Sequence, residues 1–156
     1  IWVPYVDGKV VPEYQGEKLA RISVVKRYPA DGEDRHIVNG LFKGVYVDHG
    51  AVSTSFPAPV AYMVVVGQTS EEMLACLNAV DQYSGACIVT DGGQPRAVFP
   101  IEIYGMMTNM SMEQIHATSK EIDDALEAMG NHNEGEPVTN KLLSLFISLH
   151  RFRFMK

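Results

Sequence analysis

The clearest pattern of hydrophobic and polar positions lies between Tyr62 and Asp91. Two short apolar runs, YMVVVG and ACIVTD, are rich in β-branched residues and predict buried strands. Between them, Gly85 is expected to end a helix whose apolar positions recur at helical spacing at Met73, Leu74, Leu77 and Val80. Strand, helix and strand together predict a β-α-β crossover over about residues 62–91, in which the two strands run parallel.

Two helix starts carry capping signals. Thr69 with Glu72, and Ser111 with Gln114, have the spacing of a capping box. In such a box the hydroxyl and the side chain three residues later each satisfy a backbone N–H group. The second box predicts an amphipathic helix after Ser111, and Gly130 is expected to end that helix in the left-handed conformation.

The other segments predict further strands and one more buried apolar element. Apolar runs on both sides of Asp7-Gly8, and again around Gly92-Gly93, are typical of β-hairpins. Residues 19–28, 36–47 and 51–55 favour strands, and residues 141–149 form an apolar helix or strand that must be buried. The chain is therefore predicted to be one domain, residues 1–156, of the α/β (α+β) class, with a mixed β-sheet and packed helices.

Composition narrows the possible partners. A net charge of −6 over 156 residues argues against nucleic acid or an anionic membrane, since both need a basic face. Cys76 and Cys87 lie among apolar neighbours, which predicts buried free thiols in a reducing compartment such as the cytoplasm. The chain begins at Ile1 inside a strand-like run, which suggests a piece of a longer polypeptide, although a trimmed start would give the same pattern.

No catalytic constellation is visible from spacing alone. The sequence lacks the motifs of a phosphate loop, a dinucleotide site, a nucleophile elbow and a zinc-dependent base deaminase. His49 follows Asp48 in a turn between strands, where functional residues often gather, so both are candidates for ligand or acid–base work. The acidic residues on the helices are most simply a solvated face, and the chain is expected to hold no metal or cofactor itself.

The order of segments resembles the C-terminal domain of bacterial adenine deaminases. That family shows a GFxKGFGLKxGA-like stretch, an IVVVG strand, a helix with an acidic start, a strand ending in DDG and an LPLPIAGLMS run. A late MTLSFLALPVIP-like run follows, which resembles the LLSLFISL of this chain. The positions that match are Gly40, Lys43, Gly44, Gly50 and Ala51, then Val64–Gly67, Asp91, Pro100, Gly105 and Met107.

The resemblance implies part of a metal-dependent hydrolase that converts adenine and water to hypoxanthine and ammonia. In the family, a divalent metal (Mn, Fe or Zn) and the catalytic acids belong to an upstream TIM-barrel domain, which is absent from this chain. The isolated chain is therefore expected to be inactive and to have that upstream catalytic domain as its partner. We also expect a homo-oligomer, with no nucleic-acid or membrane partner.

One segment departs from the family pattern. Where the family carries a polar HDSHN segment, taken to face the active site, this chain has Ala58, Pro59, Val60, Ala61 and Tyr62. The departure argues against adenine itself as the substrate. Thr54 and Ser55 match two family serines, so the substrate-facing candidates are Thr54, Ser55, Tyr62, Asp48 and His49.

Three functions stay open at this point. The first is a C-terminal domain that braces or closes a metal site on an upstream domain. The second is a catalytically inactive interaction or oligomerisation module, which the lost polar segment and a methionine cluster favour. The third is a small-ligand-binding domain that uses the Asp91-Gly92-Gly93 turn and a helix N-terminus.

Overall fold

A computed structural model describes residues 5–7, 9–10, 13–34, 36–56 and 62–131. The first strands are β1 (Tyr5–Val6), β2 (Lys9–Val10), β3 (Glu13–Tyr14), β4 (Glu17–Lys18) and β5 (Ala20–Lys26). They are followed by β6 (Ile37–Phe42), β7 (Ala51–Thr54), β8 (Tyr62–Gly67), β9 (Ala86–Asp91) and β10 (Gln94–Pro100). The helices are α1 (Ser70–Val80) and α2 (Met112–Ala128).

The central sheet has the strand order β10-β9-β7-β8-β5-β6. Each neighbouring pair in it is antiparallel. Because β8 and β9 are both antiparallel to β7, they run parallel to each other with β7 between them. The predicted crossover through α1 is therefore confirmed, but it passes over an intervening strand.

The two helices pack on opposite faces of this sheet. On one face, Met63 and Val65 of β8 join the cluster that contains Cys76 of α1. On the other face, Val64 and Val66 join the cluster that contains Ile122 of α2. Burial on both faces explains why β8 has a continuous apolar run rather than alternation. The α+β class is confirmed.

The predicted hairpins form where tight turns allow positive φ angles. β1 and β2 pair antiparallel on either side of Asp7, which has φ +49°. Gly92 and Gly93 connect β9 to β10 with φ angles of +56° and +76°, as a type I′ turn requires.

The strand predicted over residues 36–47 is shorter in the structure. It ends at Phe42 as β6, and Gly44 then adopts a φ angle of +137°. The apolar segment 141–149 lies outside the described residues.

Helix α2 begins and ends as predicted. Ser111 and Gln114 form both hydrogen bonds of the capping box. At the other end, the Gly130 N–H donates to the Glu127 carbonyl at 3.0 Å and the Asn131 N–H to the Leu126 carbonyl at 3.0 Å. These two bonds, with φ +88° at Gly130, constitute a Schellman motif.

The prediction for the end of α1 is wrong. The helix ends at Val80 with Asp81 as its C-cap, well before Gly85. Gly85 is instead a point of close packing, because an added Cβ would lie 2.4 Å from the Gly105 Cα and 2.5 Å from the Ile101 carbonyl oxygen. Leu74 also departs from its predicted buried face, since it is 59% exposed.

The two cysteines are buried and free, as predicted. They lie in different clusters, Cys76 on the α1 face and Cys87 on the α2 face. Burial raises the pKa of each thiol to about 12. Both side chains therefore act as small apolar groups of the core.

Candidate functional site

The five candidate residues fall at opposite ends of strand β7. Asp48 and His49 precede β7, whereas Thr54 and Ser55 end it. Tyr62 begins β8 and, because β8 is antiparallel to β7, lies at the same end of the sheet as Ser55. We call these regions the Asp48 end and the Ser55 end. The structure therefore gathers three candidates at one end and two at the other.

At the Ser55 end, two hydroxyl groups hold the backbone in place. The Ser55 Oγ accepts a hydrogen bond from the Ala86 N–H at 2.9 Å. The Thr54 Oγ1 accepts one from the Phe56 N–H at 3.2 Å, and both hydroxyl-bearing residues are buried. Tyr62 is half-buried and pairs with Lys26 of β5. The proposed substrate-facing role of these residues stays a prediction.

Arg27 connects three segments at the Ser55 end, and the sequence pattern did not single it out. Its guanidinium donates a hydrogen bond to the Ser84 carbonyl and lies 5.1 Å from the ring centroid of Tyr28. Gly105 packs directly against it, because an added Cβ would lie 2.1 Å from Arg27 Nη1. The same Cβ would lie 3.1 Å from the Ser55 Oγ. Arg27 thus ties β5 to the segments before β9 and after β10.

Exposed apolar side chains lie in the segments that this arginine joins. Tyr28, Tyr83, Ile103, Tyr104 and Met107 are all among the exposed large hydrophobic residues. Ile103 and Met107 exchange backbone hydrogen bonds of 3.0 and 3.1 Å, which closes the turn that carries Tyr104. Together with Arg27, these five residues are called the aromatic surface below. A concentration of exposed apolar side chains commonly marks an interaction site.

The Asp48 end is charged, and its charges pair with one another. Lys18 Nζ lies 3.3 Å from Asp48 Oδ1 and 5.1 Å from the ring centroid of Tyr46. The hydrogen bond with Asp48 raises the pKa of the Lys18 ammonium, because it favours the charged form. A cleft of about 460 Å³ opens here, lined by Glu17, Lys18, Lys43, Gly44, Tyr46, Asp48, Gly130 and Asn131.

His49 lies beside this cleft and faces the β9–β10 turn. Its Nε2 is 3.7 Å from Asp91 Oδ1, while Arg96 Nη2 is 2.9 Å from the other carboxylate oxygen of Asp91. A guanidinium already bound to Asp91 is a poor neighbour for a metal cation. Across the residues that the structure describes, no three His, Cys, Asp or Glu side chains are placed to hold a metal ion together.

Glu72 links α1 to the loop that carries Asp48 and His49. One carboxylate oxygen accepts the Gly50 N–H at 2.7 Å, and the other accepts the Thr69 hydroxyl at 2.9 Å. The Thr69 hydroxyl caps the helix as predicted, accepting the Glu72 N–H at 3.2 Å. The carboxylate half of the predicted box is wrong, because Glu72 bonds across the fold to Gly50 rather than back to the Thr69 backbone.

Comparison with known proteins identifies the family of the chain. The model of the adenine deaminase C-terminal domain family matches residues 1–150. The chain belongs to that family. Among curated relatives, the adenine deaminase of Oceanobacillus iheyensis is 35% identical over 103 residues, which are 66% of this chain and 17% of that protein.

Two further relatives match almost the whole chain. Adenine deaminase 2 of Shouchella clausii is 26% identical over 146 residues, which are 94% of this chain and 25% of that protein. The adenine deaminase of Moorella thermoacetica is 27% identical over 145 residues, or 93% and 24%. The chain therefore spans a quarter or less of the length of these relatives.

At two of the glycines that match the family pattern, the surrounding atoms leave no room for a side chain. At Gly50 of this adenine deaminase C-terminal domain, φ is +71° and an added Cβ would lie 2.3 Å from the Thr90 carbonyl oxygen. At Gly67 an added Cβ would lie 2.9 Å from the Met73 Cγ. These glycines preserve the packing of β7 and β8 against α1 and β9 rather than any catalytic group. None of the helices in the described part of the domain is long and apolar enough to cross a membrane.

Proposed function

We propose that this domain completes an adenine-deaminase-like hydrolase by bracing or closing a metal site that an upstream domain holds. The observation that carries the proposal is the family match over residues 1–150 in a chain that spans 17–25% of three relatives named adenine deaminase. The remaining three quarters or more of such a polypeptide provides room for a separate catalytic domain.

The chemistry divides between the two domains. Hydrolytic deamination of a purine needs an activated water and a group that moves protons to the leaving ammonia. We assign both to the upstream domain, together with the divalent metal. To this domain we assign the exclusion of water and the fixing of the closed geometry, for which a rigid sheet is suited.

The Ser55 end is the part of the domain that we assign to this role. Its hydroxyls on Thr54 and Ser55 are buried and bonded to the backbone. A hydrogen-bonded edge of this kind holds the neighbouring chain in a fixed position. It therefore suits a wall of an active site better than a source of catalytic groups.

The test is an assay on the intact polypeptide that contains this chain. Ammonia release is measured with adenine and a panel of other aminopurines, alongside the metal content of the purified protein. We expect metal-dependent turnover, and we expect Ser55→Ala to lower kcat/KM while the metal content stays unchanged. Deamination by residues 1–156 alone, with added zinc, iron or manganese, would contradict the assignment of chemistry to the upstream domain.

A second function is an inactive interaction or oligomerisation module. The sequence of residues 58–61 favours it, because Ala-Pro-Val-Ala has no side chain that donates, accepts or binds metal. Under this alternative the intact polypeptide releases no ammonia from any aminopurine, and light scattering detects a homo-oligomer. Turnover at an enzyme-like rate would exclude it.

A further inference from the structure

The three tyrosines of the aromatic surface either contact the Arg27 guanidinium or adjoin a residue that does. Tyr28 follows Arg27 and lies under its guanidinium, and Tyr83 precedes Ser84, whose carbonyl the guanidinium binds. Tyr104 precedes Gly105, which packs against Arg27 Nη1. Three exposed tyrosines therefore lie in the segments that the Arg27 side chain joins.

The composition of this surface is that of an interface centre. Tyrosine, methionine and arginine are enriched where proteins bind each other, and tyrosine and arginine are enriched among hot spots. Tyr104 is 78% exposed and Met107 is 58% exposed. Within the described residues, the Arg27 guanidinium has one carbonyl and one ring as neighbours, so a partner that covers it must supply acceptors for its other N–H groups.

Tyr104 is exposed in a backbone conformation that is unfavourable for a tyrosine. Tyr104 and Gly105 have φ angles of +60° and +68°, and the Met106 N–H donates to the Ile103 carbonyl at 3.0 Å. These are the features of a type I′ turn, whose first central position favours Asn, Asp or Gly over a bulky side chain. A strained residue that is also highly exposed gains little from packing within the domain, which points to a role outside it.

The upstream part of the same polypeptide is the neighbour best placed to occupy this surface. The related adenine deaminases extend well beyond the matched region, which covers 17–25% of their length, so a large neighbour is available in cis. Strand β8 has six residues, so the sheet is only about 20 Å long. A domain of about 100 residues already has a radius of gyration of about 13 Å, so an upstream domain is large enough to span that distance.

We infer that the aromatic surface is the docking site for the upstream domain, with Tyr104 as its central anchor. This inference rests on the proposed function and names the contact by which the metal site is braced. The surface is buried in the intact polypeptide, and its apolar side chains lie between the two domains.

The experiment measures thiol accessibility in the intact polypeptide. Met107→Cys and Leu74→Cys place a thiol at positions that are 58% and 59% exposed in this domain. Leu74, on the outer side of α1, is the matched control. The rate of alkylation at each position is followed by peptide mass spectrometry. Cys76 and Cys87 give little background, because burial raises the pKa of both thiols to about 12.

We expect the thiol from Met107→Cys to react at least tenfold more slowly than the thiol from Leu74→Cys, and Tyr104→Asn in the same protein to restore fast labelling. A tenfold difference corresponds to a docked state favoured by roughly 1.4 kcal/mol. Gln15→Asn is the control for the second variant. Gln15 and Gly16 have φ angles of +53° and +79° in the β3–β4 turn, so the local change is the same, and labelling should stay slow.

Two results would overturn the inference. Equal labelling rates at positions 107 and 74 would mean that the surface is open in the intact polypeptide. Protection that disappears on dilution would mean that a second copy, rather than the upstream domain, covers it. Protection in a polypeptide that releases no ammonia would retain the docking site and reject the hydrolase, whereas turnover without protection would do the reverse.

Discussion

The two ends of the central sheet differ in whether their exposed side chains have partners within the domain. At the Asp48 end, charged side chains pair within the domain, as Lys18 does with Asp48 and Arg96 with Asp91. At the Ser55 end, Tyr104 and Met107 expose apolar area that nothing in the described part of the chain covers. Exposed ion pairs need no partner and contribute little to stability, whereas exposed apolar area gains free energy only when something buries it. The contrast places the domain's unmet binding capacity at the Ser55 end.

The largest effect is expected from adding a methyl group at Gly50 of the Asp48 end. Gly50→Ala forces a Cβ to within 2.3 Å of the Thr90 carbonyl oxygen at φ +71°, and the backbone cannot yield easily. We expect the free energy of unfolding to fall by about 3–5 kcal/mol, measured by urea denaturation.

The matched change at the Ser55 end should be milder. In Gly105→Ala the obstructing atom is the Arg27 Nη1, at the tip of a flexible side chain, so we expect a loss of about 2 kcal/mol. Gly92→Ala is the control, because its φ is +56° and nothing lies within 4 Å of the added Cβ. Its loss of about 1 kcal/mol isolates the conformational cost. Equal losses at positions 50 and 105 would contradict the steric comparison.

A smaller effect is expected from Glu72, which fastens the Asp48 end to α1. Glu72→Ala removes the acceptor of the Gly50 N–H and of the Thr69 hydroxyl. We expect a loss of about 1–3 kcal/mol in unfolding free energy, since a part-buried donor is left without its partner. Glu71→Ala is the control: it removes a first-turn acid without that bond and should cost about 0.3–1 kcal/mol. Equal losses would mean that the helix dipole, not the Gly50 bond, accounts for the effect.

A gain in stability is expected where the Ser55 end is strained. In residues 1–156 alone, Tyr104→Asn should raise the unfolding free energy by up to about 1 kcal/mol, because Asn tolerates a positive φ better than Tyr does. Gln15→Asn, in the hairpin that carries Lys18, should give a similar gain. Thermal unfolding of both variants decides the matter. A loss of stability in Tyr104→Asn alone would mean that the tyrosine packs within the domain.

The local pattern of the sequence was sufficient to predict the strands and helices, but not which of them lie next to each other. Strand β8, helix α1, the capping box of α2 and the stop at Gly130 depend on neighbours within a few residues, so they could be predicted. The position of β7 between β8 and β9 could not be predicted. A crossover motif predicts that its two strands run parallel, but not whether they are neighbours in the sheet.

The candidate site was harder to predict because its contacts join distant segments. Glu72 bonds to Gly50 across 22 positions, and Arg27 bonds to the Ser84 carbonyl across 57. A capping spacing gave a plausible but wrong partner for the Glu72 carboxylate. Arg27 had no signal, since a single arginine after a strand is indistinguishable from a solvated one. The separation of His49 from Ser55 likewise followed only from the direction of β7.

The smallest effect is expected for the ion pair between Lys18 and Asp48, which line the cleft. The hydrogen bond from Lys18 to Asp48 raises the pKa of the ammonium above its ordinary 10.5. A raised pKa means that the folded state binds the proton more tightly than the unfolded state does. The contribution to stability is therefore complete below pH 10.5 and is lost as the pH rises through the folded-state value.

An NMR titration of the Lys18 side chain should give a midpoint above 10.5 that returns toward that value in Asp48→Asn. A Lys18 midpoint that does not change in Asp48→Asn would mean that the pair does not persist in solution, and the Asp48 end would then be an open charged surface rather than a self-paired one.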